Sequence, residues 1–148
     1  MRIELIEENK KKFLDLLLLA DEDEKMIDRY LQRGIMFALY NEELKGICIV
    51  TKEEEGIYEI KNVAIYKNEH NKGYGKKLIK YIIEYFKDDY KTIYVGTGDS
   101  PLTIPFYKSC GFKESHRIKN FFVDNYNHEI IEVGIKLVDM VYLKIDKI

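Results

Sequence analysis

Two glycines one residue apart, Gly73 and Gly75, stand between an apolar stretch and a long amphipathic one, with Lys72 and Lys76 beside them. Glycine lets the backbone come close to a ligand. The first amides of a following helix present free N–H groups to an anion. The segment therefore reads either as a phosphate site or, on spacing alone, as a tight turn. It is not a Walker loop, because no Gly-Lys-Ser/Thr follows, and not a dinucleotide fingerprint, because the third glycine is missing. Cys48 and Cys110 lie in unrelated contexts without a histidine partner, so no covalent intermediate is expected. His116 and His128 have no ligand spacing, so no metal site is expected. Acidic residues cluster at 21–24, 53–55 and 88–89. Such clusters either attract a cationic amine or mark solvated turns and helix ends.

The elements that must carry these groups follow from periodicity. Residues 2–6 read as a short strand. Asn9 is placed to cap a helix reaching Leu19, with Phe13, Leu14, Leu17 and Leu18 at helical spacing. A second helix is predicted over 24–33, stopped by Gly34. Strands are predicted at 35–40, 45–52 and 57–66, joined by turns. In the last of these Ile60, Val63, Ala64 and Ile65 do not alternate cleanly, which points to a bulge or to burial on both faces. After Gly75, Leu78, Ile79, Ile82, Ile83 and Phe86 form one apolar helix face. A strand at 92–96, a loop at 97–100, a helix from Pro101 to Ser109 and strands at 112–114, 130–133 and 138–145 complete the chain.

This order predicts an α/β (α+β) fold. It is a mixed, mostly antiparallel sheet of six to seven strands with helices on both faces. The 148 residues suit a single domain, and a chain of this size buries roughly 70% of its unfolded surface. A hydrophobic share of 46% beside 34% charged residues indicates a globular protein. The net charge of -2 argues against a nucleic-acid partner. The start has no apolar signal core, and the apolar run at 16–20 is too short to cross a bilayer, so no membrane association and a cytoplasmic location are expected. Exposed aromatics in the tail are compatible with a monomer or a homodimer.

Downstream of the glycine loop stands Phe106-Tyr107-Lys108-Ser109-Cys110-Gly111-Phe112. With this second motif the chain resembles the GNAT superfamily of acetyl-CoA-dependent N-acetyltransferases, of the small bacterial single-domain type. That family carries Gln/Arg-x-x-Gly-x-Gly/Ala after its fourth strand, matched here at 70–75. It carries Tyr-x-x-x-Gly-Phe at the end of the helix after its fifth strand, matched at 107–112. The order, the separation and the intervening helix all agree, and the likeness is strongest over 58–112.

The resemblance implies the GNAT fold and acetyl-CoA as co-substrate. It also implies transfer of acetyl to a primary amine, on a small molecule or a peptide, by direct attack in a ternary complex. It assigns the pyrophosphate to the backbone of Asn71, Lys72, Gly73, Tyr74, Gly75 and Lys76, with His70 where Gln or Arg is usual and Asn71 where Gly is common. It assigns the pantetheine arm to Val63, Ala64 and Ile65, and to Ser100 in place of the family's Asn. Tyr107 falls at the general-acid position, also against the cofactor. Amine attack expels a thiolate, which a phenol of pKa about 10 can protonate. Glu59 is the first candidate for general base and Asp99 the second. Asp124, Asn125, Tyr126, His128, Glu129 and Glu132 fall where the family borders its acceptor pocket. The rival readings are an acyl-CoA-binding regulatory module without catalysis, and a structural domain whose glycine loop is only a turn.

Overall fold

The computed structural model describes all 148 residues. A seven-stranded sheet forms from β1 (Arg2–Ile6), β2 (Ile35–Asn41), β3 (Glu43–Glu54), β4 (Ile57–Ile65), β5 (Thr92–Gly98), β6 (Lys113–Ile118) and the last strand, β9 (Met140–Asp146). The order is β1-β2-β3-β4-β5-β9-β6, and only β4 and β5 run parallel. A small hairpin of β7 (Ile131–Glu132) and β8 (Ile135–Lys136) stands apart from the sheet. The helices are α1 (Leu14–Ala20), α2 (Glu24–Asp28), α3 (Tyr74–Tyr85), α4 (Thr103–Ser109) and α5 (Phe121–Asn125). The mixed, mostly antiparallel sheet with helices on both faces is the one the sequence predicts.

Successive strand residues supply opposite faces, so a sheet covered on both sides reads as continuous apolar runs. Phe37, Leu39, Cys48 and Val50 pack with Leu78, Ile79, Ile82 and Phe86 under α3. Their neighbours Met36, Ala38, Ile47 and Ile49 pack with Leu16, Leu17, Ile27 and Leu31 under α1 and α2. In β4 the register passes from Val50↔Ile60 to Ile49↔Asn62 and leaves Lys61 unpaired. This bulge inverts the strand: Tyr58 and Ile60 belong to the α3 core before it, whereas Val63 and Ile65 pack there after it and Ala64 joins the opposite core. Both causes offered for the uneven pattern are therefore present.

Several boundaries differ from expectation. Asn9 adopts a left-handed φ of 55° and makes no side-chain cap, and a 3-10 turn over Lys10–Phe13 precedes α1. The second helix stops at Asp28, and turns carry the chain to Gly34. The buried Nζ of Lys10 donates to the carbonyls of Leu31 (3.0 Å), Gln32 (3.3 Å) and Gly34 (2.7 Å) and so closes the turns that follow α2. Pro101 and Leu102 form a turn ahead of α4. The segment at 130–133 makes a hairpin off the main sheet, and α5 lies where no helix is predicted.

Candidate active site

β4 and β5 pair only from Ile57↔Thr92 to Ile60↔Val95, then part. The separation begins at the Lys61 bulge, where a strand bends and its ladder is interrupted. Between them opens a cleft of about 390 Å³, lined by β4 beyond Ile60, by Val95–Gly98 of β5 and by Tyr107. Tyr66 donates its N–H to Lys45 on the β3 side. By strand alternation the N–H groups of Val63 and Ile65 point to the opposite edge, which β5 has left unpaired. On the β5 wall, a Cβ on Gly98 would sit 2.5 Å from Leu137, and one on Gly96 would sit 2.9 Å from Met140. The two glycines let Leu137 and Met140 pack closely on that wall.

The glycine loop reaches α3 through two left-handed residues, Asn71 (φ 62°) and Gly73 (φ 84°). Asn71 replaces the family's glycine with the side chain that best tolerates this conformation, so the departure keeps the backbone path. Gly73 is the residue before α3, and a Cβ there would meet nothing within 4 Å. The helix start is thus open, and its free N–H groups can face an anion. Gly75 acts through packing instead. Its Cβ would lie 3.1 Å from Phe106, so its smallness lets α3 sit close against α4. Tyr74 is buried and its hydroxyl accepts from Asn41 (3.0 Å), which pins the helix start to the end of β2. His70 lines the cleft and its Nε2 lies 2.9 Å from the carbonyl of Ile65, tying the loop to the end of β4. Lys72 pairs with Glu69 (2.9 Å), which also holds Lys45 (3.1 Å). Lys76 stands in the first turn of α3 without an ion-pair partner.

Tyr107 on α4 is 8% exposed, lines the cleft, and its hydroxyl has no partner in the protein. Burial, with minor contributions from Cys48, Cys110 and Glu132, pushes its phenol above the ordinary tyrosine range, so it stays protonated. Val63, Ala64 and Ile65 line the same cleft. Glu59 and Asp99 do not. Glu59 is held by Lys61 (2.9 Å) and accepts from Tyr142 (3.4 Å), and Asp99 is paired with Arg117 (2.8 Å) on the surface. Ser100 is buried, and its hydroxyl accepts from the N–H of Leu102 (3.1 Å), so it shapes the turn before α4.

At the other end the cleft is closed by Leu19–Glu22 at the end of α1 and by the tail through Phe122, Tyr126, Ile130 and Glu132. Tyr126 donates to Asp21 Oδ1 (2.9 Å), and Tyr30 donates to Asp21 Oδ2 (3.3 Å). Asn62, the residue after the bulge, donates to Tyr30 Oη (3.0 Å) and to the carbonyl of Leu17 (3.1 Å). His128 and Glu129 border a neighbouring hollow, with His128 3.6 Å from Glu22. No group of three or more His, Cys, Asp or Glu side chains is arranged to hold a metal ion.

The sequence profile of the acetyltransferase (GNAT) family matches residues 3–112. The chain belongs to that family. It is 38% identical to YvbK of Bacillus subtilis, an uncharacterized N-acetyltransferase, over 99% of this chain and 96% of the relative. A crystal structure of a Bacillus subtilis acetyltransferase in complex with CoA superposes with a TM-score of 0.90 at 38% identity, covering 98% of this chain and 97% of that one. A GNAT family acetyltransferase from Elizabethkingia anophelis with acetyl-CoA bound gives 0.92 at 35% identity, with 98% and 97% covered.

For this GNAT acetyltransferase the sequence motifs locate one half of the cleft. The structure brings together Val63, Ala64, Ile65, His70 and Tyr107 in the lining, whereas Asn71–Lys76 lie outside it, at the start of α3. It leaves Glu59, Asp99 and Ser100 outside the lining. The Asp21–Tyr30–Asn62–Tyr126 chain has no motif, because its members lie up to 105 positions apart. Its signals were the acidic run at 21–24, the polar Asn62 amid apolar residues of β4, and the tail's aromatics.

Proposed function

We propose that this acetyltransferase binds acetyl-CoA across the glycine loop and the free edge of β4, and passes the acetyl group directly to a primary amine. The amine lone pair attacks the thioester carbonyl carbon. The C–N bond forms, the C–S bond breaks, and the leaving thiolate takes the Tyr107 proton. One main-chain N–H of this edge, that of Val63 or of Ile65, holds the carbonyl oxygen as charge develops on it. Glu59 lies outside the lining and is held by Lys61, which does line the cleft, so in this reading the amine's proton passes to Glu59 through water. One observation carries the reading: a buried phenol with no partner in the protein borders the unpaired edge of β4.

Tyr107→Phe tests it. The acid's contribution is about 10²–10⁴-fold, so kcat falls by that order while acetyl-CoA affinity is kept. Turnover near that of the unaltered chain, followed by free-thiol release, would remove Tyr107 from the mechanism. Absence of any thermal shift with millimolar acetyl-CoA would remove the co-substrate.

A further inference from the structure

The acceptor end of the cleft carries a carboxylate for which the protein provides no counter-ion. Asp21 lines the cleft and forms no ion pair with any Lys, Arg or His. Asp21 is half-buried, and a carboxylate partly withdrawn from water is stabilised only where a cation or enough hydrogen bonds replace the lost hydration. Here the replacements are the two tyrosine hydroxyls and a long contact from the N–H of Asp23 (3.4 Å). They orient the group without neutralising it. The other acids at this end, Glu22 and Glu132, add negative charge. The cleft lysines lie elsewhere: Lys61 is taken by Glu59, and Lys67 belongs to the turn at the glycine-loop end.

Asn62 gives an independent sign. It is 3% exposed and lines the same cleft, and its Oδ1 is buried with no donor. Its amide orientation is fixed, because Nδ2 must face the carbonyl of Leu17 and the Tyr30 hydroxyl. The cleft thus presents a charged acceptor, with a buried amide oxygen that lacks a donor in its wall and the stacked rings of Phe122 and Tyr126 alongside (centroids 5.7 Å apart). An N–H-rich cation bordered by aromatic faces matches this set.

We infer that Asp21 is the specificity-determining anchor for the acceptor, selecting an aliphatic ammonium compound that carries no carboxylate near its amine. Amino acids and other acidic amines meet Asp21, Glu22 and Glu132 and are repelled. Tyr126 and Tyr30 are positioning residues for the carboxylate. The inference rests on the amine-transfer reading only in taking this cleft as the acceptor site.

The experiment compares the unaltered chain with Asp21→Asn, which keeps the shape and an oxygen for the tyrosines. Two acceptors are used with saturating acetyl-CoA: 1,4-diaminobutane, charged at neutral pH, and aniline, uncharged there. The expected result is at least a tenfold rise in KM for diaminobutane, with KM for aniline and for acetyl-CoA unchanged. Equal rises for both amines, or no rise, overturn the inference. Calorimetric titration of the CoA-saturated protein with 1,4-diaminobutane separates binding from chemistry. Asp21-dependent binding without thiol release supports the anchor and refutes the transfer reading. Thiol release that Asp21→Asn leaves intact does the reverse. No binding by the unaltered chain overturns the anchor.

Discussion

Replacing Gly73 by Ala isolates the backbone contribution to the glycine loop. The residue sits at φ 84°, where an L side chain is strained, yet the new methyl would meet no atom within 4 Å. The cost to folding is thus conformational alone, about 1–2 kcal/mol. In a chain of this length that corresponds to a fall of roughly 2–8 °C in Tm. The effect on CoA should be separate and larger in consequence. Relief of the strain rotates the chain toward negative φ and turns the first amides of α3 away from their common focus. The methyl also fills the open space before the helix. A loss of at least tenfold in CoA affinity, about 1.4 kcal/mol, is expected. Urea unfolding gives the first quantity, and calorimetry with CoA, well below the transition, gives the second. Gly75→Ala is the comparison: its φ is ordinary, the alanine improves helix propensity by about 1 kcal/mol, and the 3.1 Å approach to Phe106 opposes that gain. If Gly73→Ala binds CoA as the unaltered chain does, the helix start is a structural turn and the phosphate reasoning fails.

Phe37 is fully buried at the centre of the α3 core, edge-on to Tyr85 (4.9 Å) and Phe86 (6.3 Å). Phe37→Ala should cost about 3–5 kcal/mol in denaturant melts, and a cost below about 1 kcal/mol would mean this core collapses around the gap. Asp21→Asn should also change stability, in the opposite direction. Burial, reinforced by the Asp23 charge and opposed by the Tyr126, Asp23 and Tyr30 hydrogen bonds, raises the Asp21 pKa from its ordinary 3.8. A raised carboxylate favours the fold when protonated, so its contribution is complete below 3.8 and is lost as pH rises through the folded value. Asp21→Asn should therefore have the higher Tm at neutral pH, with the gap closing toward pH 3.8; a gap independent of pH would contradict the burial argument.

What the sequence disclosed depended on range. The apolar face of α3, the two-glycine approach to it and the uneven run in β4 are local patterns, and each is present in the structure. Asn9 misled because its side chain suits a cap and a left-handed backbone equally, and the structure uses the second. The turns after α2 were hidden because Lys10, which satisfies their carbonyls, lies more than twenty residues upstream. Tyr107 could be placed by motif, since its neighbours in the chain are its neighbours in space. Asp21 could not: its acidic run was visible, but Tyr126 reaches it across 105 positions. Glu59 read as a free strand carboxylate, and only the folded register sets it beside Lys61 and Tyr142.

The insertion of β9 between β5 and β6 has a consequence for how the protein comes into being. Thr92 pairs with Asp146 and Gly98 with Met140, so the β5 wall of the cleft gains its neighbour only from the last strand. β6 likewise has β9 as its sole partner in the sheet. On a ribosome, the first four strands and α3 can assemble while both of these edges still wait. Until residues 140–146 emerge, the nascent chain holds the glycine loop but not the completed β5 wall of the cleft. The complete cleft therefore requires β9 in place, and a chain made only as far as β6 offers two unpaired strand edges to its surroundings.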